Sequence, residues 1–293
     1  MQASPIAHDN NLREAALDST SQTNTVVAKA LDILDLLAAS GSPLPLTDIA
    51  LSLQYPVSTT HRLLASLASR GYVTQGHHDQ LYHLGWKVVV LANSLGSLGQ
   101  LPSILRPHLK ALLNTVSEAV NLSVLSGMSI TYLDSLSPPQ RISLQAPPGM
   151  TVPAYASGMG KVQLAYLPSS EAMGLLGEGP LEAFTPTTIT SPGELRAEFD
   201  RIRQRGYAMD LGEYSTDLRC IAAPVTDGAG KVVAAVSITL SAGRAEAGWE
   251  NKHITPLLDA CRSMSLELGA RRVSAGQASL PAGHVVSGNG EAV

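Results

Sequence analysis

Two short stretches near the beginning of the chain carry apolar residues at helical spacing. The first has four of them at positions i, i+3, i+4 and i+7, which predicts one buried helix face: Leu46, Ile49, Ala50 and Leu53. Thr47 is the candidate cap of this helix, and Pro56 stops it and keeps Tyr55 out of the α region. A second helix is predicted over residues 58–69, ending at Gly71, with this buried face: Leu63, Leu64 and Leu67.

The residues after the second helix have the pattern of a hairpin. Val73-Thr74 and Leu81–Leu84 flank the polar turn Gln75–Gln80. Helix, turn, helix and wing in this order predict a winged helix-turn-helix, whose second helix enters the major groove of DNA. The candidate DNA contacts are the polar side chains of that helix and its surroundings: Ser58, Thr59, Thr60, His61, Arg62, Arg70 and His77. The same pattern also fits a plain scaffold that binds nothing.

Further helices and strands follow from the periodicity of the rest of the chain. A first helix begins near Val26 and ends at 40–43, a connecting helix over 86–99 has small residues suited to packing on another copy, and a helix over 104–119 follows. Strands are predicted at 121–127, 130–136, 141–145, 220–225 and 231–240. Helices are predicted to start near Ser157-Gly158 and at a capping box at Ser191, with a last one over 253–270. This order predicts an α/β sensor-like domain and not a Rossmann fold.

Charge limits how the first domain can bind DNA. The net charge of −4 over 293 residues excludes a generally basic coat. Residues 24–87 hold four basic and four acidic side chains, but the stretch 56–72 carries Arg62 and Arg70 and no acid. A single copy would neutralise few phosphates and bind weakly. Specific binding therefore predicts two or more copies, a homodimer or a homotetramer.

The two cysteines, the apolar runs and the chain ends bear on the cellular compartment. Cys220 and Cys261 offer no disulfide framework and no metal cluster, which favours the cytoplasm. We expect no membrane span, because no apolar run approaches about 18 residues, and no signal peptide, because the N-terminus is polar. Residues 1–22 and 273–293 are polar, without periodicity, and are predicted to be disordered tails.

Four ordered segments resemble the IclR family of transcriptional regulators, from about residue 24 to residue 272. They are "STTHRLLASLASRGYV" (58–73), "YASGMGKVQLAYLP" (155–168), "TPTTITSPGELRAEFDRIRQRGYAMD" (185–210) and "GEYSTDLRCIAAPVTD" (212–227). Two positions depart from the family pattern. Thr226 replaces an aromatic residue or histidine, which alters packing, and Val57 replaces a frequent Lys or Arg, which removes one phosphate contact.

The resemblance implies an α+β fold with an N-terminal winged helix-turn-helix domain (23–85), a linker helix (86–100) and a GAF-like α/β effector-binding domain (101–272). It implies a ligand-responsive regulator of transcription that is not an enzyme, needs no cofactor or metal, and binds operator DNA and a small organic acid. Carried over by motif, the effector pocket includes Gly158, Met159, Asp210, Cys220, Ser237 and Thr239. The looser part of the resemblance adds Arg141 and Leu144.

The chemistry of these residues supports an acid site independently. Gly158 and Met159 lie at a helix start, where backbone N–H groups and the positive end of the helix dipole favour a carboxylate. Ser237 and Thr239 are two apart on a strand, so their side chains face the same way. Arg141 is a candidate for a bidentate clamp on a carboxylate.

Each of these features also has a less specific interpretation. A phosphate loop is excluded, because Tyr155 and Val162 occupy positions that require glycine and Ser or Thr. Lys161 is interpreted as a surface or packing lysine, and Arg219 as an ion-pair partner of Glu213 or Asp217. Asp210 either caps a turn or contacts the ligand.

Two other functions stay open from the residues alone. Cys220 is a small buried residue facing the pocket, or else a nucleophile in a small enzyme with Asp210 and a histidine, although no histidine lies between His108 and His253. The chain also fits a DNA-binding scaffold whose sensor domain binds no ligand.

Overall fold

The N-terminal part folds as a helix-turn-helix with a two-stranded wing. The structure, a computed structural model, describes residues 25–76, 79–95, 99–139 and 146–277. The N-terminal elements are α1 (Val26–Ser40), α2 (Leu46–Ser52), α3 (Val57–Ser69), β1 (Val73–Gln75) and β2 (Tyr82–Leu84). β1 and β2 pair antiparallel. The predicted order of helix, turn, helix and wing is confirmed.

A small apolar core holds this domain together. One side chain from each element lies in it, and all are buried: Ile33, Ile49, Leu64, Val73 and Tyr82. Gly71 follows α3 with a φ of +79°, a left-handed conformation that suits glycine at a helix end. The predicted Thr47 cap is wrong. Pro45 is the residue that precedes α2, and Thr47 lies inside the helix, where its hydroxyl donates to Asp48 Oδ1 at 3.2 Å.

Two helices follow the wing, at slightly different limits from those predicted. α4 (Trp86–Ser94) is shorter than the predicted 86–99, and α5 (Leu101–Val116) is shifted three residues towards the N-terminus from 104–119. Most of the α4 surface is exposed, including 82% of Trp86. α5 instead buries a regular stripe: Leu101, Leu105, Leu109 and Leu112.

The second domain is built on one antiparallel sheet of six strands in the order β5-β4-β3-β8-β7-β6. Its strands are β3 (Ala119–Ser126), β4 (Ser129–Leu136), β5 (Thr151–Pro153), β6 (Ala208–Asp210), β7 (Leu218–Thr226) and β8 (Val232–Ser241). The predicted strand 141–145 lies outside the described residues. Four of the five predicted strands therefore correspond to β3, β4, β7 and β8, and sequence reasoning missed the short strands β5 and β6.

Helices cover both faces of this sheet. α5 and α9 (Trp249–Gln277) pack on one face, against Val120, Ile221 and Val236. α6 (Gly158–Ala165) lies on the other face, and α7 (Ser169–Leu176) and α8 (Pro192–Arg205) pack beside it. Successive apolar residues of the strands therefore pack into two separate apolar layers, one on each face of the sheet.

Both predicted helix starts in this domain are confirmed by their caps. Ser157 Oγ accepts the N–H of Gly160 at 3.1 Å, and Ser191 Oγ accepts the N–H of Glu194 at 3.5 Å. The last helix is longer than the predicted 253–270, so residues 273–277 belong to α9 and not to a tail. The rest of the two predicted tails, 1–22 and 278–293, lies outside the described residues. No helix in the described ranges is long and apolar enough to cross a membrane.

Candidate functional sites

Helix α3 presents a polar surface on the side opposite its buried leucines. Ser58, His61 and Arg62 are exposed, and Thr59 is half-buried. Arg70, which directly follows the helix, is exposed as well. Ser58, Thr59, His61 and Arg62 therefore form one surface, which we call the α3 face, because Leu63 and Leu64 fix the opposite side in the core.

Thr60 does not belong to the α3 face. Its side chain is completely buried, and its hydroxyl donates to the Pro56 carbonyl oxygen at 3.2 Å. The sequence prediction of a DNA contact at Thr60 is therefore wrong, since helical rotation turns this residue towards the core. His77 lies outside the described residues.

Lys87 is a basic residue near the α3 face that sequence reasoning missed. Its backbone N–H donates to the Gly71 carbonyl oxygen at 3.2 Å, which sets the start of α4 beside the end of α3. The Lys87 side chain is exposed. Arg70 and Lys87 are 17 positions apart in the chain but lie close together through this contact, which no local pattern signals.

A row of polar side chains crosses the sheet on the face that carries α6. The strand register places Asn121 opposite both Ser135 and Ser237, and it places Cys220 opposite both Thr239 and Asp210. We call these six residues the polar row. All six are buried.

Asn121 lies at the centre of the hydrogen bonds within the polar row. Its Nδ2 donates to Ser237 Oγ and to Thr239 Oγ1, both at 3.2 Å. The hydroxyl of Ser135 donates to Asn121 Oδ1 at 2.7 Å and accepts the N–H of Ala146 at 3.1 Å. Asn121 and Ser135 were missed from the sequence, because neither lies in the motifs that suggested the other four residues.

The start of α6 lies directly over the polar row. A Cβ added at Gly158 would be 3.4 Å from Cys220 Sγ and 3.6 Å from the Asp210 Cβ, so a side chain at this position would contact both. Gly160 holds the helix close to the preceding turn, because a Cβ there would lie 2.2 Å from the Ala154 carbonyl oxygen. The backbone N–H groups of the first helical turn have no partner within the helix. The site therefore combines hydroxyl groups with a positive helix end.

Asp210 caps a turn in this structure. Its Oδ1 accepts the N–H groups of Gly212 at 3.0 Å and Glu213 at 2.7 Å. Burial raises the pKa of this carboxyl, against the opposing effects of those two hydrogen bonds and of Lys161. Of the two interpretations left open by the sequence, the turn cap is confirmed, and contact with a ligand is not tested.

Cys220 has the environment of a packed residue and not of a nucleophile. Burial raises the pKa of its thiol to about 12, and nearby Asp210 adds to that effect. The thiolate is the reactive form of cysteine, so a thiol with so high a pKa is poorly reactive. A small, buried side chain facing the pocket is the interpretation that this environment favours.

Lys161 is buried beside the Asp210 end of the polar row, so of its two interpretations the surface lysine is wrong and the packing lysine is confirmed. Its ammonium group donates to the Met209 carbonyl oxygen at 2.7 Å and forms an ion pair with Glu213. The predicted pairing of Arg219 with Glu213 or Asp217 is also wrong. The Arg219 guanidinium donates to the carbonyl oxygens of Thr216 and Leu218.

Three predicted effector residues remain: Met159, Arg141 and Leu144. Met159 is buried in the apolar cluster around α6, and Arg141 and Leu144 lie outside the described residues. Tyr132 is a further neighbour that sequence reasoning missed. Burial raises its pKa, and the electrostatic effects of Cys220 and Asp210 raise it further.

Two cavities lie away from the polar row. One, of about 390 Å³, lies between α5 and α9 and is lined by His108, Leu112 and Pro256. The other, of about 380 Å³, lies beneath the wing beside His61 and Tyr82. Among the described residues no group of three or more His, Cys, Asp or Glu side chains could hold a metal ion.

Two family models match the chain, one for each domain. The IclR helix-turn-helix domain matches residues 26–77, and the model described as bacterial transcriptional regulator IclR C-terminal matches residues 97–266. The HTH-type transcriptional regulator BhcR of Paracoccus denitrificans is 34% identical, over 83% of this chain and 87% of its own length. The HTH-type transcriptional repressor AllR of Escherichia coli K12 is 30% identical, over 83% of this chain and 90% of its own length.

A solved structure supports the same assignment. An IclR homologue from Microbacterium hydrocarbonoxydans in complex with 4-hydroxybenzoate is similar with a TM-score of 0.66 and 25% identity, over 84% of this chain and 100% of that chain. The matched families and relatives are regulators of transcription and not enzymes, so the enzymatic interpretation of Cys220 has no support. With an α/β domain behind a winged helix-turn-helix and a family model over more than half its length, this chain belongs to the IclR family of bacterial transcriptional regulators.

Proposed function

We propose that the protein reads operator DNA with the α3 face and releases or strengthens that contact when a small carboxylate binds at the polar row. The proposal includes a DNA-binding domain over 23–85, a linker helix over 86–100 and an effector-binding domain over 101–272. It also places the action of the protein in the cytoplasm, where the DNA is. The main support for the proposal is that one chain combines a helix-turn-helix with a second domain in which buried hydroxyl groups of the polar row lie near the start of α6.

The DNA contact is proposed for Ser58, Thr59, His61 and Arg62, with Arg70 at the end of the helix. The side chains at the N-terminal end of such a recognition helix contact base edges in the major groove. Lys87, exposed beside Arg70, adds a positive charge for a phosphate. His77 stays a candidate from the sequence.

We propose a homodimer formed through α4, with a homotetramer as the next assembly. The proposal is supported by the apolar side chains that α4 leaves in solvent, with 82% of Trp86, 57% of Val90 and 62% of the following Leu95 exposed. A second copy of α4 would cover them. Two copies would also double the small positive charge of the α3 face and require a pseudo-palindromic operator.

Sedimentation velocity on the full chain tests this assembly. We expect a dimer or tetramer at micromolar concentration, and a Trp86→Lys variant that dissociates and loses operator affinity. Val26, which is also largely exposed but lies in α1, supplies the control Val26→Lys. A monomer with full operator affinity would contradict the proposal.

The effector is proposed to be a small carboxylate, held between the Gly158 helix start and the hydroxyls of Ser237 and Thr239. A carboxylate would accept hydrogen bonds from groups that are costly to leave unpaired in a buried place. The solved relative from Microbacterium hydrocarbonoxydans, which holds 4-hydroxybenzoate, also supports an organic acid. Arg141 and Leu144 stay candidates from the sequence, and Met159 contributes through packing.

A thermal-shift screen with acetate, pyruvate, succinate and 4-hydroxybenzoate tests the site, because a compound that binds the folded state raises the unfolding temperature. The double variant Ser237→Ala, Thr239→Val should weaken the binding of the responding acid by about 1–3 kcal/mol. Operator binding without the acid should be unchanged. A Gly158→Leu variant should lose the response altogether, because its side chain would occupy the space beside Cys220.

The same screen separates the proposal from the remaining alternative, a scaffold whose sensor domain binds no ligand. A scaffold would give no shift with any acid. If an acid shifts the wild type and both variants equally, the acid binds elsewhere. If only cationic compounds act, the proposed chemistry of the site is wrong.

A further inference from the structure

Four hydrogen bonds in the polar row run in one direction. They begin at the backbone N–H of Ala146, pass through the Ser135 hydroxyl to Asn121 Oδ1, and continue from Asn121 Nδ2 to the hydroxyls of Ser237 and Thr239. The chain of donors and acceptors crosses three neighbouring strands, β4, β3 and β8. We call it the relay.

The distances favour one orientation of the Asn121 amide group. The contact to Ser135 is 2.7 Å long, which is typical of an O–H donor to an oxygen. The contacts to Ser237 and Thr239 are both 3.2 Å long, which suits N–H donors. The oxygen of Asn121 therefore faces Ser135, and its nitrogen faces the two hydroxyls.

This orientation decides what the two hydroxyls can do. A hydroxyl group has one hydrogen to donate and two lone pairs to accept. Because Asn121 uses a lone pair of Ser237 and of Thr239, the hydrogens of both groups point away from Asn121. The two hydroxyl oxygens lie 3.5 Å apart, so one hydroxyl can donate to the other in the absence of a stronger acceptor. Hydrogen bonding of both to Cys220 opposes the larger effect of burial on the pKa of its thiol. Sulfur is a weak acceptor, and a carboxylate oxygen is a much stronger one.

We infer that Asn121 and Ser135 determine the specificity of the site, because they turn Ser237 and Thr239 into hydrogen-bond donors and so select a carboxylate over its amide. The inference rests on the proposed effector site and deepens it. Each oxygen of a carboxylate can accept a hydrogen bond from one hydroxyl. A primary amide has only one oxygen, and its NH₂ group, which is a donor, would face a second hydroxyl that is also a donor. Neither Asn121 nor Ser135 needs to touch the ligand to have this effect.

The test compares the affinities for a carboxylate and for its primary amide. The probes are the tightest-binding acid of acetate, pyruvate, succinate and 4-hydroxybenzoate, and the corresponding amide, measured by calorimetry on the full chain. Asn121→Asp keeps the shape of the side chain but accepts from both hydroxyls, which turns their hydrogens inward. We expect the preference for the acid to fall about tenfold or more.

A second variant covers the case in which an aspartate at this buried position prevents folding. Ser135→Ala removes the donor that fixes the Asn121 oxygen, so the amide group is free to turn over. The preference for the acid should fall by about threefold to tenfold. Ser126→Ala, at the exposed end of the same β3 strand, is the control and should leave the preference unchanged.

The outcomes separate the inference from the proposed function. Suppose that the double variant Ser237→Ala, Thr239→Val lowers the affinity for the acid, while Asn121→Asp and Ser135→Ala keep the preference for the acid over its amide. The inferred role of the relay is then wrong, and the proposed effector site is supported. If no acid of the panel binds, the proposed effector chemistry fails. Neutron diffraction from crystals of the deuterated protein without ligand then decides the relay. Deuterium atoms directed from Ser237 and Thr239 to Asn121 would overturn it, and deuterium atoms directed away would support it.

Discussion

Helix α3 carries its polar side chains in solvent, whereas the polar row holds side chains of the same chemical types inside the second domain. Ser58 and Arg62 are exposed, while Ser237 is completely buried and hydrogen-bonded to Asn121. Water satisfies an exposed hydroxyl in any orientation. A buried hydroxyl depends on fixed partners, because leaving it unpaired costs about 1–3 kcal/mol.

This difference predicts how substitutions in each region affect binding and stability. A substitution on the α3 face changes what the protein binds and leaves its folding nearly intact. A substitution in the polar row, or in the neighbouring pair of Lys161 and Glu213, changes the stability of the domain as well as ligand binding, because each side chain there is the hydrogen-bond or ion-pair partner of another. The following predictions test that contrast.

The largest effect is expected beside the polar row, at the buried pair of Lys161 and Glu213. Lys161→Met removes the cation and leaves a buried carboxylate, whose Oε2 has no hydrogen-bond partner within the described ranges. Breaking such a pair costs about 3–5 kcal/mol. Denaturant unfolding at pH 8 measures the loss. The exposed Lys231 supplies the control Lys231→Met, and equal losses in the two variants would contradict the buried pair.

The second effect is a pH dependence of stability from the same pair. Burial raises the pKa of Glu213 to about 7, from an ordinary value of 4.5. Between these values the folded state binds more protons than the unfolded state, so this group lowers the free energy of unfolding as the pH rises. The loss from pH 5 to pH 8 is roughly 3 kcal/mol at most.

Thermal unfolding at intervals from pH 5 to pH 8 measures this dependence. Glu213→Gln, which cannot ionise, should flatten the curve in this range, whereas Glu171→Gln on the exposed side of α7 should not. A Glu213→Gln curve that is parallel to the wild-type curve would show that another group titrates.

The third effect concerns the α3 face. Arg62→Ala should lower operator affinity by roughly 1–3 kcal/mol if Arg62 reads a guanine, with the unfolding temperature nearly unchanged because the side chain is exposed. Arg196→Ala, the same loss of charge at an exposed position of α8, is the control. A footprint that is identical in both variants would place the DNA contact elsewhere.

The smallest effects separate two neighbouring threonines. Thr60→Val should cost about 1 kcal/mol of stability, because the buried hydrogen bond to Pro56 is lost, and should leave the operator affinity unchanged. Thr59→Val should instead weaken operator binding with little loss of stability. Paired unfolding and binding measurements check this, and the reverse result would show that α3 is rotated from the orientation described.

Much of the fold follows from local patterns in the sequence. The spacing of Leu46, Ile49, Leu63 and Leu64 places two helices, because a buried helix face requires apolar residues three and four apart. Ser157 and Ser191 mark two helix starts, because a serine side chain can satisfy the N–H groups there. These features depend only on residues close together in the chain.

The candidate sites were predictable to a smaller extent. Motif resemblance found Asp210, Cys220, Ser237 and Thr239, which the structure brings together under Gly158. It could not find Asn121 and Ser135, because strand register alone places Asn121 beside Ser237 and Ser135 beside Asn121. It was wrong for Thr60, because the rotation of α3 on its core decides which of five consecutive polar residues is buried.

The sequence by itself determined the order of the helices and most of the strands, the family, and the polar residue types available for each site. The tertiary structure decided which of those residues meet and which are buried. Lys161 and Glu213 are 52 positions apart, yet they pair beside the polar row. The physical reason is that secondary structure depends on contacts within a few residues, whereas burial and hydrogen bonding between strands depend on how the whole sheet and its helices pack.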